Sequence, residues 1–438
     1  VSQPSLLKRS WLAQFPADAD DSARRALWLR RTWALFGIGL VSATWPLWTP
    51  QQRFPQVPLL AGLQALPAWS HWLLGGGMLL GLAGALAAPG LGRIAVGSSL
   101  LFACATAALV AIDQHRLQPW AYQFVMVAIV LALVKPRAAV GWLRWLIITF
   151  YLYSAVTKLD HTFVHTLGQQ FLGALAEPLG LRPAAWSEPA RVAAALTFPL
   201  GELAVAVALC LARGRAIGLA GAVALHLLLL AILGPWGLDH KPGVLLWNMY
   251  FIVQDLLLFW PDRKFVPLAA LGPAAGRHVP RTPWAIRAML LAAMLLPVLG
   301  GTAWFDLWPS WGLYAPSAER VQLLVHRNDE ARLPDALGRF VEPLAGPSEP
   351  WLVVRLDRWS LDALGAPIYP QNRFQLGVAE AVMGRYSLGH RVRVVRWELA
   401  DRLTGRRQYD VLAGLPQVVA ASEAYLLNSR PGSAPLHP

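Results

Sequence analysis

Residues 142–160 read WLRWLIITFYLYSAVTKLD, and the thirteen residues between Arg144 and Lys158 carry no charge. A hydrocarbon core demands ~20 predominantly apolar residues of helix, and this stretch approaches that length with its charges kept to the two ends. The same texture recurs on both sides of it. Apolar segments lie near 33–50, 70–88, 94–112, 120–134, 142–158, 192–211, 215–234, 243–260 and 284–301. Across all 438 residues, 56% are hydrophobic and 14% charged, with a mean hydropathy of +0.43. Soluble domains carry about 25% charged residues. That deficit excludes a cytosolic enzyme, a disordered chain and a disulfide-rich secreted module. The expected fold is mainly α, a multi-pass transmembrane helical bundle of about nine spans with a C-terminal extracytoplasmic α+β domain.

The formal charge of +13 raises the question of nucleic acid. Residues 302–438 hold 15 basic and 14 acidic residues, so almost the whole excess lies among the apolar segments. Basic residues flanking apolar spans are the usual topology signal of membrane proteins, and no nucleic-acid partner is expected; the partner is the lipid bilayer. Residues 1–32 form a basic arm (Arg24, Arg25, Arg30, Arg31), too long and poorly flanked for a cleaved signal peptide. With that arm in the cytoplasm, the cytoplasmic segments hold 16 Lys+Arg against 6 on the opposite face. The bundle then spans 33–301, and an odd number of crossings places residues 302–438 outside. The expected location is a bacterial cytoplasmic (inner) membrane.

Within that outer domain, Val321–His326, Trp351–Asp357 and Arg391–Leu399 have strand-like composition. The last could pair with Gln408–Leu412 across Leu403-Thr404-Gly405-Arg406. Leu333–Leu344, Arg373–Tyr386 and Gln417–Leu427 have helical spacing. Cys104 and Cys210 sit in separate apolar segments without a C-x-x-C, so neither a redox dithiol motif nor a cysteine metal motif is available, though the two could meet in space. Gly77-x-x-x-Gly81 and Gly214-x-x-x-Gly218 allow helices to approach closely.

Charge at membrane depth costs ~2.5–3.5 kcal/mol on insertion scales, so each such residue is a functional hypothesis. The candidates are Asp113, Lys158, Glu202, His226 and Asp255, with Asn248 and Gln254 as polar companions. Asp113 opens Asp113-Gln114-His115-Arg116, where a solvated loop accounts for it. Asp255 reads as an interfacial anchor beside Trp260-Pro261-Asp262-Arg263-Lys264. Glu202 and His226 lie near the middle of consecutive spans and could satisfy one another. Lys158 either snorkels to the interface or sits in a poorly hydrated pocket as a base. If its helix continues, Tyr151, Ser154, Lys158, His161 and His165 share one face.

The run Tyr153-Ser154-Ala155-Val156-Thr157-Lys158-Leu159-Asp160, followed by Phe163 and Gly168, resembles the vitamin K-dependent γ-carboxylase family and its bacterial relatives, the HTTM membrane domains. Two positions depart: the animal enzymes have a second lysine at Thr157 and tryptophan at Phe163. The resemblance continues through Gly201-Glu202-Leu203, Arg213-Gly214-Arg215-Ala216-Ile217-Gly218 and His226, with a weaker echo at Trp311-Gly312-Leu313-Tyr314-Ala315-Pro316. It covers residues 140–260 best. It implies that Lys158 is the base that deprotonates a reduced quinone of the menaquinone or vitamin K type. The oxygenated quinone then removes a γ-proton from a glutamate and carbon dioxide adds. It also implies His226 as a second catalytic or substrate-orienting residue and Ser154, Asp160, His161 and Glu202 as binding residues. Tyr122 joins them from Pro119-Trp120-Ala121-Tyr122, where the animal enzymes have an Asn-His pair. A peptide or protein substrate would arrive from outside. Two other classes fit the same sequence: a DoxX-like accessory subunit of a quinone-linked oxidoreductase, and a non-catalytic lipid- or peptide-binding module.

Overall fold

The computed structural model describes residues 21–50, 53–260, 282–302, 304–344, 350–388 and 391–432. Lys8, Arg9, Arg263, Lys264, Arg277 and Arg281, counted in the charge bias, lie outside them. The first described elements are α1 (Asp21–Ala43) and the short α2 (Trp45–Trp48). Then follow α3 (Ala68–Ala87), α4 (Arg93–Ile112), α5 (Pro119–Leu133), α6 (Pro136–Lys158), α7 (His161–His165), α8 (Leu167–Ala176), α9 (Glu188–Cys210), α10 (Arg215–Leu233), α11 (Pro242–Phe259) and α12 (Trp284–Leu295). Six of these, α3, α4, α6, α9, α10 and α11, are long and apolar enough to cross a membrane; α5 and α12 are apolar but shorter. Helix α1 takes in Arg24, Arg25, Arg30 and Arg31 of the expected basic arm; Asp21 pairs with Arg25 one turn on (2.7 Å) and Arg30 is buried.

Helix α6 is the centre of the bundle. In it, 72% of the apolar window is buried, against 33% in α3, α9 and α10. The outer helices turn Leu73, Leu80, Ile94 and Ile217 away from the protein, each about two-thirds or more exposed. Such side chains suit lipid, which is as apolar as leucine, so what holds these helices together is close packing and hydrogen bonding. A Cβ on Gly81 would lie 2.6 Å from Phe102 N and 2.8 Å from Ser98 O, so α3 and α4 meet backbone to backbone there. Exposed tryptophans gather at helix ends (Trp69 and Trp72 on α3, Trp236 after α10, Trp260 after α11, Trp284 on α12), as they do at membrane–water interfaces. Cys104 and Cys210 are both free.

The C-terminal part contains β1 (Arg320–His326), α13 (Asp335–Gly338), β2 (Val341–Pro343), β3 (Trp351–Val354), α14 (Leu356–Leu364), α15 (Asn372–Arg385), β4 (Val392–Trp397), β5 (Tyr409–Ala413) and α16 (Gly414–Ser422). The strands form one antiparallel sheet in the order β2-β3-β1-β4-β5. Register is fixed by alternation, with Leu323 opposite Val354 and Val394 on one face. Strands β4 and β5 pair as expected, with Arg396 and Asp410 opposite one another and bonded at 2.9 Å. The expected helix Leu333–Leu344 is a single turn, α13. Its second half becomes β2, because Val341 and Glu342 satisfy their backbone groups on the edge of β3.

Asp113-Gln114-His115-Arg116 is no solvated loop. All four residues are at most 1% exposed, and together they join the bundle to the C-terminal domain. Asp113 Oδ1 accepts from the amides of Val57 and His115. Gln114 donates to Pro58 O and Asn428 O and accepts from Arg373. His115 Nε2 lies 2.9 Å from Pro367 O. The Arg116 guanidinium donates to Leu47 O, Leu109 O and Thr49 O. Arg373 also forms a bidentate ion pair with Asp306, to which Tyr369 donates at 2.5 Å. The C-terminal domain therefore rests on the bundle through hydrogen-bonded, buried groups.

Candidate functional site

Lys158 is the last residue of α6 and is 7% exposed. It does not snorkel. The ammonium has three N–H bonds and three acceptors: Ser154 O at 3.0 Å, Ser154 Oγ at 2.6 Å and Glu202 Oε2 at 2.7 Å. Ser154 is one turn earlier on the same helix, and Glu202 comes from the middle of α9. The expected Glu202–His226 pair does not form. His226, on α10, instead faces Tyr151 of α6 through Nε2 (2.7 Å) and Asn248 of α11 through Nδ1 (2.8 Å). Its ring stacks on Phe251, at 4.7 Å between centroids and 13° between planes.

Tyr151 Oη lies 2.5 Å from Asp255 Oδ2 as well. Asp255 is fully buried, so it is not the interfacial anchor its neighbours suggested. It sits seven residues beyond Asn248, two turns along the same face of α11. That spacing was visible in the sequence, and so was Tyr151 on the Lys158 face. What the sequence lacked was any sign that the two faces meet across His226.

Three helices, α6, α9 and α10, thus deliver Ser154, Lys158, Glu202 and His226 to a small pocket of about 50 Å³ with Phe150, Phe171 and Phe198 around it. Val244, Trp247, Leu313 and Tyr314 line both this pocket and a larger cavity of about 380 Å³ between the bundle and the C-terminal domain. Trp120, Trp308, Ile368 and Pro370 line the larger cavity, together with His240 and Lys241. Tyr314 has φ +51° and Trp311 has φ +60°, a backbone region that bulky residues adopt only when their surroundings impose it. The strained turn projects an aromatic group between the two spaces. Burial pushes the Tyr314 phenol above its ordinary range, so it stays a neutral hydroxyl.

Three sequence candidates are not brought to the pocket. Asp160 caps α7 by accepting from Phe163 N (2.6 Å) and accepts from Ser317 Oγ at 2.8 Å. That cap ends α6 at Lys158 and starts a new helix, so the continuous face through His161 and His165 does not exist. His161 stacks on His165 at 4.0 Å and its amide donates to Arg402 O. Tyr122 packs on Trp311 at 5.0 Å, behind the turn that carries Tyr314. Among the described residues no group of three or more His, Cys, Asp or Glu is placed to hold a metal ion. No family model, curated protein or solved structure matches the chain.

Proposed function

We propose that the chain is a nine-span membrane protein of the carboxylase-like HTTM class, with its N-terminus in the cytoplasm and residues 302–438 outside. In this reading it performs proton chemistry on a reduced quinone. The observation that carries it is the buried Lys158–Glu202 pair in a small pocket that shares Val244, Trp247, Leu313 and Tyr314 with a larger, mostly apolar cavity. At about 380 Å³ the outer cavity falls within the ~300–1,000 Å³ of small-molecule sites, and its tryptophans suit a flat ring. The inner pocket, at about 50 Å³, admits a hydroxyl or a water but no ring system. A reduced naphthoquinone bound there would supply an acidic hydroxyl and reducing equivalents.

The chain's own part is acid–base work. Because all three Lys158 N–H bonds are engaged, the lysine acts together with Glu202. The O–H bond of the ligand breaks, its proton goes to the Glu202 carboxylate, and the electron pair stays on the ligand oxygen. The Lys158 ammonium then neutralises the new anion in a site with little water, where such pairing is strongest. Carboxylation of a glutamate arriving from outside is the downstream use that the family resemblance suggests.

The test is binding of a short-chain naphthoquinol in detergent, followed by quenching of the cavity tryptophans. Wild type should bind, and Ile368→Phe, which narrows the cavity, should weaken binding about tenfold, or ~1.4 kcal/mol. Equal binding by both, or none by wild type, would favour a lipid- or peptide-binding module instead.

A further inference from the structure

Hydrogen-bond accounting around Tyr151 leads to a conclusion about charge. Asn248 Nδ2 donates to Val244 O at 2.8 Å, which turns Asn248 Oδ1 toward His226. His226 Nδ1 must therefore carry a proton. Tyr151 Oη contacts both His226 Nε2 and Asp255 Oδ2, yet a phenol has one proton to give. Two arrangements satisfy every contact. In one, Asp255 Oδ2–H donates to Tyr151, whose O–H donates to a neutral His226. In the other, Tyr151 donates to the Asp255 carboxylate and a doubly protonated His226 donates to Tyr151. Both hold one proton more than a carboxylate, a phenol and a neutral imidazole together. With a carboxylate, a phenol and a neutral imidazole, one of the two contacts, Tyr151–Asp255 at 2.5 Å or Tyr151–His226 at 2.7 Å, would have no proton between its atoms.

We propose that Asp255, Tyr151 and His226 form a charge relay with one transferable proton, which moves toward His226 when negative charge appears in the Lys158–Glu202 pocket. This deepens the acid–base reading above and rests on it for its purpose. The shift is balanced: the Asp255 O–H bond breaks as a new Tyr151 O–H forms, and the old Tyr151 O–H breaks as His226 Nε2–H forms. No proton enters from solvent. At rest the proton belongs on Asp255, because Asp255 Oδ1 is buried without a partner among the described residues, which a neutral acid tolerates better than a carboxylate. His226 lines the pocket and Asp255 does not, so the shift carries one positive charge to the pocket wall. The ionisable groups facing His226 from the helices around it are Tyr151 and Lys158 on α6, Glu202 on α9 and Asp255 on α11, and changing the pocket pair probes the relay without any ligand.

The test uses the full chain in lipid nanodiscs, with infrared detection of protonated carboxyl groups and nitrogen NMR of labelled histidine. At pH 8, well above the range in which Asp113 takes a proton, wild type should have a protonated-carboxyl band that is lost in Asp255→Asn, together with a neutral His226 protonated on Nδ1. Lys158→Met leaves the pocket negative and should convert His226 to imidazolium; Glu202→Gln leaves it positive and should keep His226 neutral. Tyr151→Phe should abolish the response to Lys158→Met. An ionised Asp255 beside a neutral His226 in wild type overturns the proposal, as does an identical His226 state in the two pocket variants. Because no quinone is used, a failure to bind quinone sinks the reading above and leaves these outcomes readable.

Discussion

Lys158 and Glu202 illustrate how a residue pair is judged once its surroundings are known. Both side chains are 9% exposed and 2.7 Å apart. Removing one partner strands a buried charge, which costs about 3–5 kcal/mol, whereas replacing both with apolar groups is often neutral. Lys158→Met and Glu202→Leu are each expected to lower stability by that order, and the double variant by less than either alone, as read by thermal unfolding in one detergent. Additive losses would mean that the pair is not coupled. The lysine was legible from the sequence because the chain has only 5 lysines against 33 arginines. The reason for that bias was not legible. Arginines here satisfy free carbonyls at helix ends: Arg25 on Leu257 O and Trp260 O, Arg30 on Ala88 O and Gly90 O, Arg144 on Leu258 O. A guanidinium offers five donors in a fork where an ammonium offers three at a point, and it also complements the negative end of the helix dipole.

At the scale of elements, small-residue spacing is a weak guide until the partner helix is known. Gly81 is pressed against α4 backbone, while a Cβ on Gly77 would meet only Ala105 Cβ and Leu101 Cδ1 at 3.6 Å. Gly81→Ala should therefore destabilise the α3–α4 pair and Gly77→Ala should leave it intact, as followed by the melting temperature of the detergent-solubilised protein. The joint at 113–116 has its own signature. Burial pushes the Asp113 carboxyl up to about 6 and the His115 imidazole down to about 4. Below pH 6 the folded joint holds a proton on Asp113 that the unfolded chain does not keep until near its ordinary 3.8. His115 does the reverse, staying neutral where the unfolded chain is protonated below 6.5. The two slopes oppose each other between about pH 6 and pH 4. Asp113→Asn should expose the histidine term, with stability falling on acidification by ~1.4 kcal/mol per pH unit. His115→Gln should expose the opposite slope. Equal pH profiles for the two variants would contradict this. Sequence reading took these residues for a solvated loop because four polar residues after an apolar span usually are one. Their partners, Pro367, Arg373 and Asn428, lie more than 250 residues away.

For the whole molecule, helix-length apolar segments and a mixed C-terminal domain were readable because membrane solvation imposes long uninterrupted apolar runs. Helix periodicity could not reveal that the runs converge on α6, nor that the C-terminal domain closes a cavity against the bundle. Both depend on contacts between distant elements, and the strained Trp311–Tyr314 turn that separates cavity from pocket has no periodic signal at all. In the proposed function, the pocket beneath that turn moves a proton for a ligand bound in the cavity. The most direct measurement is the rate of naphthoquinol oxidation by dissolved oxygen, compared among wild type, Lys158→Met and Glu202→Gln, with binding measured on the same samples. Both variants should bind within a few-fold of wild type and turn over more slowly by ~10²–10⁴, the usual contribution of a positioned acid–base group. Variants that bind and oxidise the quinol at the wild-type rate would contradict it.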